Sequence, residues 1–325
     1  MREPVTTFGV DAAVRLGVSA CLLGQEVRYD GGHKRDPFLT GVLARFVQWV
    51  PVCPEEEAGF GTPREAMRLE RHADDIRLIT VRTRRDVTAP LRSATTRRVK
   101  QLAGLDLDGY ILKKDSPSCG LLRVKVYAPG GAGERTGRGL FASALTDALP
   151  ILPVEDEGRL HDPRLRENFI VRVFAHRRLR TLLAGAPRAG DFVQFHTRHK
   201  LLLLAHSPAG YARLGRMVAA LKGRVSQATA GQYASAFMTT LSAMATPGRH
   251  ANVLQHMAGY FQRLIDDGSR RELAASIADY QGGLVPLIVP ITLVLHHARA
   301  GQVQYLLDQV YLQPHPKELM LRNHV

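Results

Sequence analysis

Three times within the first 120 residues a short apolar, β-branched run ends at or just before a cysteine, and this repetition constrains the fold more than any other feature. VRLGVSA over Val14 to Ala20 stops at Cys21, and QWVPV over Gln48 to Val52 stops at Cys53. GYILK over Gly109 to Lys113 leads into Lys114 to Gly120, a segment of turn formers that contains Cys119. Helix-like segments lie between, over Pro37 to Phe46, Ala89 to Ala103 and Gly139 to Ala148, with further strands expected at Ile76 to Arg82, Leu122 to Tyr127 and Ile151 to Val154. Strands alternating with helices imply right-handed crossovers and a Rossmann-like, mainly parallel α/β sheet. The loops after the strands of such a sheet gather at one edge, where ligands bind. Cys21, Cys53 and Cys119 are therefore expected to converge, although 32 and 66 residues separate them.

An odd, sparse set of three cysteines is a poor disulfide framework, and these spacings match no zinc finger. Converging thiolates are soft ligands for zinc, copper(I) or an iron–sulfur cluster, whereas isolated thiols are ordinarily inert, buried small hydrophobes. A cubane held by three cysteines keeps one iron without a protein ligand. The neighbours add chemistry. Glu55, two residues from Cys53, is placed to take or give a proton, or else is a solvated acid in the run Glu55-Glu56-Glu57. Lys114, Ser116 and Ser118 crowd the Cys119 loop, where the hydroxyls either donate to a substrate or shape turns around Pro117. Arg28, Tyr29 and Asp30 follow Cys21 and offer a cation and an aromatic face for orienting a base or phosphate.

After the connector Leu183 to Gly190 the pattern changes to helical periodicity from Asp191 to Ala300. Asp191 is the expected N-cap, with breaks near Ser207-Pro208, Pro247-Gly248 and Asp267-Gly268, giving five or six helices in a bundle. The domains read as residues 12–185, α/β, and 190–325, all-α. Of the formal net charge of +14, residues 1–155 contribute +4 and residues 156–325 contribute +10. Such asymmetry either favours a polyanionic partner for the helical part, through clusters at Arg177-Arg178, Arg180, Arg198 with Lys200, and Arg213 with Arg216, or merely reflects charges that solvate helix faces. His196 and His199 share a helix face, but no carboxylate stands in the register of a helical metal motif. Tyr211, Tyr233, Tyr260 and Phe261 read as core. No apolar stretch reaches the length of a membrane span, and Met1 to Val10 lacks the apolar segment of a secretory leader, so a cytoplasmic protein is expected.

Taken together, Ser19 to Gly24 with Arg28 to Gly31, Cys53-Pro54-Glu55 with Pro63-Arg64, and Ser116 to Gly120 resemble the thiouracil desulfidase family. The resemblance runs from about Val14 to about Arg180, through Gly137 to Ala142 and Pro153 to Leu160, and departs from the plainest family pattern at Glu56 to Gly61. Phe192 to Ser207, Asn252 to Met257 and Tyr311 to Leu319 resemble a helical family, DUF1722, often fused to the first. The first resemblance implies a [4Fe-4S] cluster held by Cys21, Cys53 and Cys119, whose remaining iron takes the sulfur of a thiocarbonyl nucleobase. It also implies Glu55 as the base that activates water, and a catalytic serine before the third cysteine, placed on Ser116 with Ser118 as the alternative. The fused arrangement resembles desulfidases that convert 4-thiouridine in tRNA to uridine, which implies tRNA as partner, gripped by the helical part. The alternatives are free thiouracil or thiouridine as substrate, or a nucleic-acid-binding protein whose cluster is structural or redox-sensing.

Overall fold

The computed structural model describes residues 14–73, 75–128 and 131–324. Met1 to Val10, with the reading on secretion, and positions 12 and 13 of the expected first domain lie outside them. The chain divides into two compact units between Asp162 and Pro163.

In the first unit the regular elements run β1 (Val14–Ser19), β2 (Val47–Val52), α1 (Pro54–Glu57), β3 (Met67–His72), β4 (Asp75–Thr80), α2 (Thr88–Ala103), β5 (Gly109–Leu112), β6 (Val124–Tyr127), β7 (Gly133–Gly137), α3 (Leu140–Ala148) and β8 (Val154–Asp156). Four strands form a parallel sheet in the order β2-β1-β5-β8. The order reverses at β1, whose two neighbours follow it in opposite directions across the sheet, and a crevice opens at such a switch point. A second sheet, β4-β3-β6-β7, is mixed: β3 and β6 run parallel, and both outer pairings are antiparallel.

The parallel sheet packs on α2 and α3 through Val52, Val99, Leu102, Tyr110, Leu112, Phe141 and Leu145, and Cys119 belongs to this cluster. Each such large side chain contributes about 1.5–3 kcal/mol on burial. Tyr110 lies over Gly17, its register partner on β1; a β-carbon there would stand 2.1 Å from the ring, so only glycine fits.

Two local expectations are corrected. Pro37 to Phe46 is not one α-helix but a π-helical turn, Phe38–Val42, followed by a 3-10 turn, Leu43–Arg45. Thr40, Gly41 and Val42 are weak helix formers, and the Thr40 hydroxyl bonds back to the Asp36 carbonyl at 3.0 Å. In the second unit Asp191 is not the N-cap. The helix starts two residues earlier, and the Asp191 carboxylate reaches back to accept the Arg188 N–H at 2.7 Å.

The regular elements of the second unit are all helical among the described residues: α4 (Pro163–Ala184), α5 (Ala189–His206), α6 (Pro208–Ala219), α7 (Gln227–Ser242), α8 (Pro247–Ala258), α9 (Asp267–Gln281), α10 (Ile288–Ala300) and α11 (Gln304–Leu307). Ser207, Ser226, Thr246 and Asp266 cap α6, α7, α8 and α9 with their side-chain oxygens, at or beside the breaks read from sequence. Tyr233 and Phe261 are core and Tyr211 is half-buried, but Tyr260 is 48% exposed and stacks on Tyr305 at 5.3 Å. His196, His199, His206 and His250 are buried, whereas His256 is exposed. Within the basic clusters, Arg178 turns inward and donates to the Pro314 carbonyl at 2.8 Å. No helix among the described residues is long and apolar enough to cross a membrane.

Candidate active site

Every strand of the parallel sheet delivers a polar or thiol group at its C-terminal end. Cys21 lies in the 3-10 turn after β1, Cys53 follows β2, the Lys113 to Cys119 loop follows β5, and Glu157 follows β8. Three of these loops meet around one cavity of about 420 Å³, a volume typical of small-ligand sites. Cys21, Cys53 and Cys119 all line it, with Arg28, Tyr29, Glu55, Arg64, Lys113, Lys114 and Ser116. Asp30 and Ser118 do not line it; they hold residues that do.

The Cys119 loop is fixed by backbone groups. Ser116 Oγ accepts the N–H groups of Ser118 and Cys119 at 3.2 and 3.0 Å. The N-terminal N–H groups of α3 donate to the loop, Leu140 to the Pro117 carbonyl at 3.2 Å and Phe141 to the Ser118 carbonyl at 2.9 Å. Gly139 permits this docking: a β-carbon there would lie 2.4 Å from the Ser118 carbonyl oxygen. Ser19, buried beneath the site, accepts the Lys113 N–H at 3.0 Å and hydrogen-bonds the Cys119 thiol.

All three thiols have raised pKa values. Burial pushes Cys21 up to about 11, reinforced by Cys53 and opposed by Lys113 and Arg28. Burial raises Cys53 as well. Cys119 is raised well above the ordinary thiol range by burial, with Glu55, Cys53 and Cys21 adding to it and the Ser19 hydrogen bond opposing. The thiols therefore sense one another across the cavity. Among the described residues no group of three or more His, Cys, Asp or Glu stands close enough to hold a single metal ion.

Glu55 is held from two sides. Arg64 donates to its Oε2 through Nε at 2.8 Å and Nη2 at 2.5 Å, and Ser118 Oγ donates to its Oε1 at 2.8 Å. The Arg64 side chain is only 6% exposed, and it also bonds the Val27 and Gly61 carbonyls, each at 2.8 Å. It thereby ties the Arg28 loop to the turn that carries Glu55. Glu56 shares Arg64 at 3.1 Å and Glu57 pairs with Arg98, so the acidic run is not a solvated patch: each carboxylate has an arginine partner.

Asp30 grips Arg28 through both oxygens at 3.2 Å, holding the guanidinium beside the cavity with the Tyr29 ring 5.4 Å away. Glu157, 8% exposed, accepts the Lys114 N–H at 2.6 Å and the Lys113 ammonium, so it orients both lysines. Ser19, Arg64 and Glu157 are the residues whose positions sequence reading left without a role. Their signal was present, since each stands inside a motif already singled out.

An α/β unit whose sheet edge gathers three thiols, a clamped carboxylate and several cations has the makings of an enzyme rather than of a binding module. The family model described as 2-thiouracil desulfurase matches residues 16–157, and that of DUF1722, described as a protein of unknown function, matches residues 200–316. The chain is 33% identical over 161 residues to the uncharacterized protein YbgA of Escherichia coli strain K12, covering 49% of this chain and 95% of that protein. It is 30% identical over 137 residues to the uncharacterized protein YbbK of Bacillus subtilis strain 168, covering 40% and 89%. Among solved structures, the [4Fe-4S]-dependent thiouracil desulfidase TudS is 31% identical, with a TM-score of 0.37 over 46% of this chain and 94% of that one. The chain belongs to the thiouracil desulfidase family of enzymes and joins that domain to a DUF1722 domain.

Proposed function

We propose that the protein is a [4Fe-4S]-dependent desulfidase that converts 4-thiouridine in tRNA to uridine, with water supplying the oxygen and sulfide leaving. The observation that carries this reading is the convergence of Cys21, Cys53 and Cys119 on one cavity beside the doubly held Glu55. The donor set fits a cubane. It is three soft sulfurs lining one cavity, and a cubane spreads its ligand sulfurs over separate irons. Lys113, Arg28 and Arg64, which act electrostatically on these thiols, favour their thiolate forms. When bound, the cluster supplies an iron without a protein ligand that polarises the C=S bond as a Lewis acid.

The remaining steps fall to side chains. Glu55 takes the proton of the attacking water, its free movement limited by Arg64 and Ser118. Ser116 and Lys114 on the Cys119 loop, with Arg28 and Tyr29 opposite, orient the base, while Asp30 keeps Arg28 in place. The excess of +10 in residues 156–325 supports RNA binding by the helical part, because neutralised phosphates release counterions.

The test is mass spectrometry of tRNA nucleosides after incubation with anaerobically reconstituted protein. Loss of 4-thiouridine with matching gain of uridine is expected. Unchanged tRNA together with turnover of free thiouracil would replace the tRNA reading by the second one, free base as substrate, which the family description favours. Salt gives an independent measure: tRNA turnover at low substrate weakens steeply as ionic strength rises, whereas turnover of a neutral base is nearly indifferent.

A further inference from the structure

The second unit carries a half-open pocket of its own, about 400 Å³. Glu167 and Asn168 of α4, His250 of α8 and Tyr280 of α9 line it, and all four are more than nine-tenths buried. Three of them are anchored to protein on one side. Arg322 Nε donates to Glu167 Oε1 at 3.2 Å, Asn168 Nδ2 donates to the Leu241 carbonyl at 3.2 Å and lies 3.4 Å from His206 Nδ1, and His250 Nδ1 meets the Tyr311 hydroxyl at 2.9 Å. The second polar atom of each residue, Glu167 Oε2, Asn168 Oδ1 and His250 Nε2, makes no hydrogen bond among the described residues, and neither does the Tyr280 hydroxyl. None of these four atoms is sealed from solvent. Their residues are nearly buried, yet these four atoms stay within reach of water, so they are the polar groups that a molecule entering the pocket meets. Four left unpaired around one void form a recognition surface.

The charge states narrow what it recognises. Burial alone would raise the Glu167 carboxyl, but its neighbours, Arg322 before all others, more than offset this, and it is held below the usual carboxylate range. Burial pushes His250 down to about 3 and Tyr280 up to about 12. At neutral pH the wall presents a carboxylate oxygen, an amide oxygen, an uncharged imidazole, a protonated phenol and the guanidinium of Arg164. Arg322 already offsets the Glu167 charge, so a bare ammonium ion gains little there. The complementary ligand carries N–H donors along one edge, has acceptor atoms elsewhere that suit the Arg164 cation, and is flat enough to meet the rings of His250 and Tyr280, which stand 6.1 Å apart at 74°. Met244, Val285 and Pro286 supply apolar surface for its faces.

We propose that this cavity binds a nucleobase with adjacent N–H donors, guanine being the base with that edge, and that Glu167 accepts from it while Asn168 and Tyr280 fix its orientation. The site is independent of the desulfidation chemistry, and its test reads binding alone. Guanosine is titrated calorimetrically into the full-length protein, with inosine, which lacks the exocyclic amino group, in parallel. Two variants accompany it: Glu167→Gln, and Ala245→Trp, which fills the cavity from the connection between α7 and α8 without touching a buried ion pair. Guanosine binds saturably at one site, inosine and Glu167→Gln each weaken it about tenfold or more, and Ala245→Trp abolishes it with helical circular dichroism and Tm unchanged. No guanosine binding by the folded wild-type protein up to the solubility limit overturns the proposal. So does equal affinity for inosine, or undiminished binding by Ala245→Trp, which would place the nucleoside elsewhere.

Discussion

The two cavities are alike in size and different in construction. The one in the first unit is assembled from loops at the ends of parallel strands, so Cys21, Cys53 and Cys119 meet although the chain holds them far apart. The one in the second unit is lined both by helix residues, Glu167, Asn168, His250 and Tyr280 among them, and by the connections that carry Met244, Ala245 and Gly283 to Pro286, and its Glu167 is ion-paired with Arg322. Loop ends can change chemistry without disturbing a core, and there the reactive groups are found. In the second pocket the polar helix residues are themselves nearly buried, so they also bear on stability.

Breaking the first cavity at its three thiols has the largest expected effect. Cys21→Ser, Cys53→Ser or Cys119→Ser removes both turnover and the visible absorption of anaerobically prepared protein, while the second unit keeps its helical circular dichroism. Glu55→Gln comes next: turnover falls about 10²–10⁴-fold with the absorption retained, as for loss of a general base. An unimpaired variant would remove Glu55 from the chemistry.

The second cavity breaks through stability. Arg322→Ala leaves Glu167 buried without its partner and destabilises the helical unit by about 3–5 kcal/mol, read by chemical denaturation, with cluster absorption unchanged. A neutral result would show that the pair is not what holds that unit together. A smaller effect sharpens the picture of the first cavity. Arg64→Lys cannot reproduce the forked contact to Glu55 Oε2 and lowers kcat about 10–10²-fold with KM nearly constant; equal changes in both would point to substrate binding instead.

Smallest is a pH effect in the second sheet. Arg84, then Arg68, hold the Glu70 carboxyl down at about 2 against the ordinary 4.5, although its burial opposes this. A folded-state pKa lowered in this way gives stability that is complete above about pH 4.5 and lost as pH falls from 4.5 toward 2. Acid unfolding of Glu70→Gln should be flatter across that window, and an identical acid profile would contradict the assignment.

The parallel sheet was legible because its strands are apolar runs stopped by turn formers, and the convergence of the cysteines followed from topology alone. The second sheet was only half legible. No strand was expected over Met67–His72, where Arg68, Glu70, Arg71 and His72 interrupt the apolar pattern, yet Glu70 is buried and pairs with Arg68 and Arg84, the latter from beyond β4. Such a pairing depends on a neighbour in space. The same holds at the site. Cys53-Pro54-Glu55 announced an acid beside a thiol, but that Ser118 holds Glu55 while Ser116 receives backbone N–H groups is a matter of loop geometry, not of residue type.

The most direct measurement is the iron content and visible spectrum of the anaerobically purified wild-type protein beside its three single Cys→Ser variants, with desulfidation assayed on each. The account predicts about four irons per chain in the wild type, and loss of both iron and turnover when Cys21, Cys53 or Cys119 is replaced. A colourless, iron-free wild-type protein that still releases sulfide would contradict it.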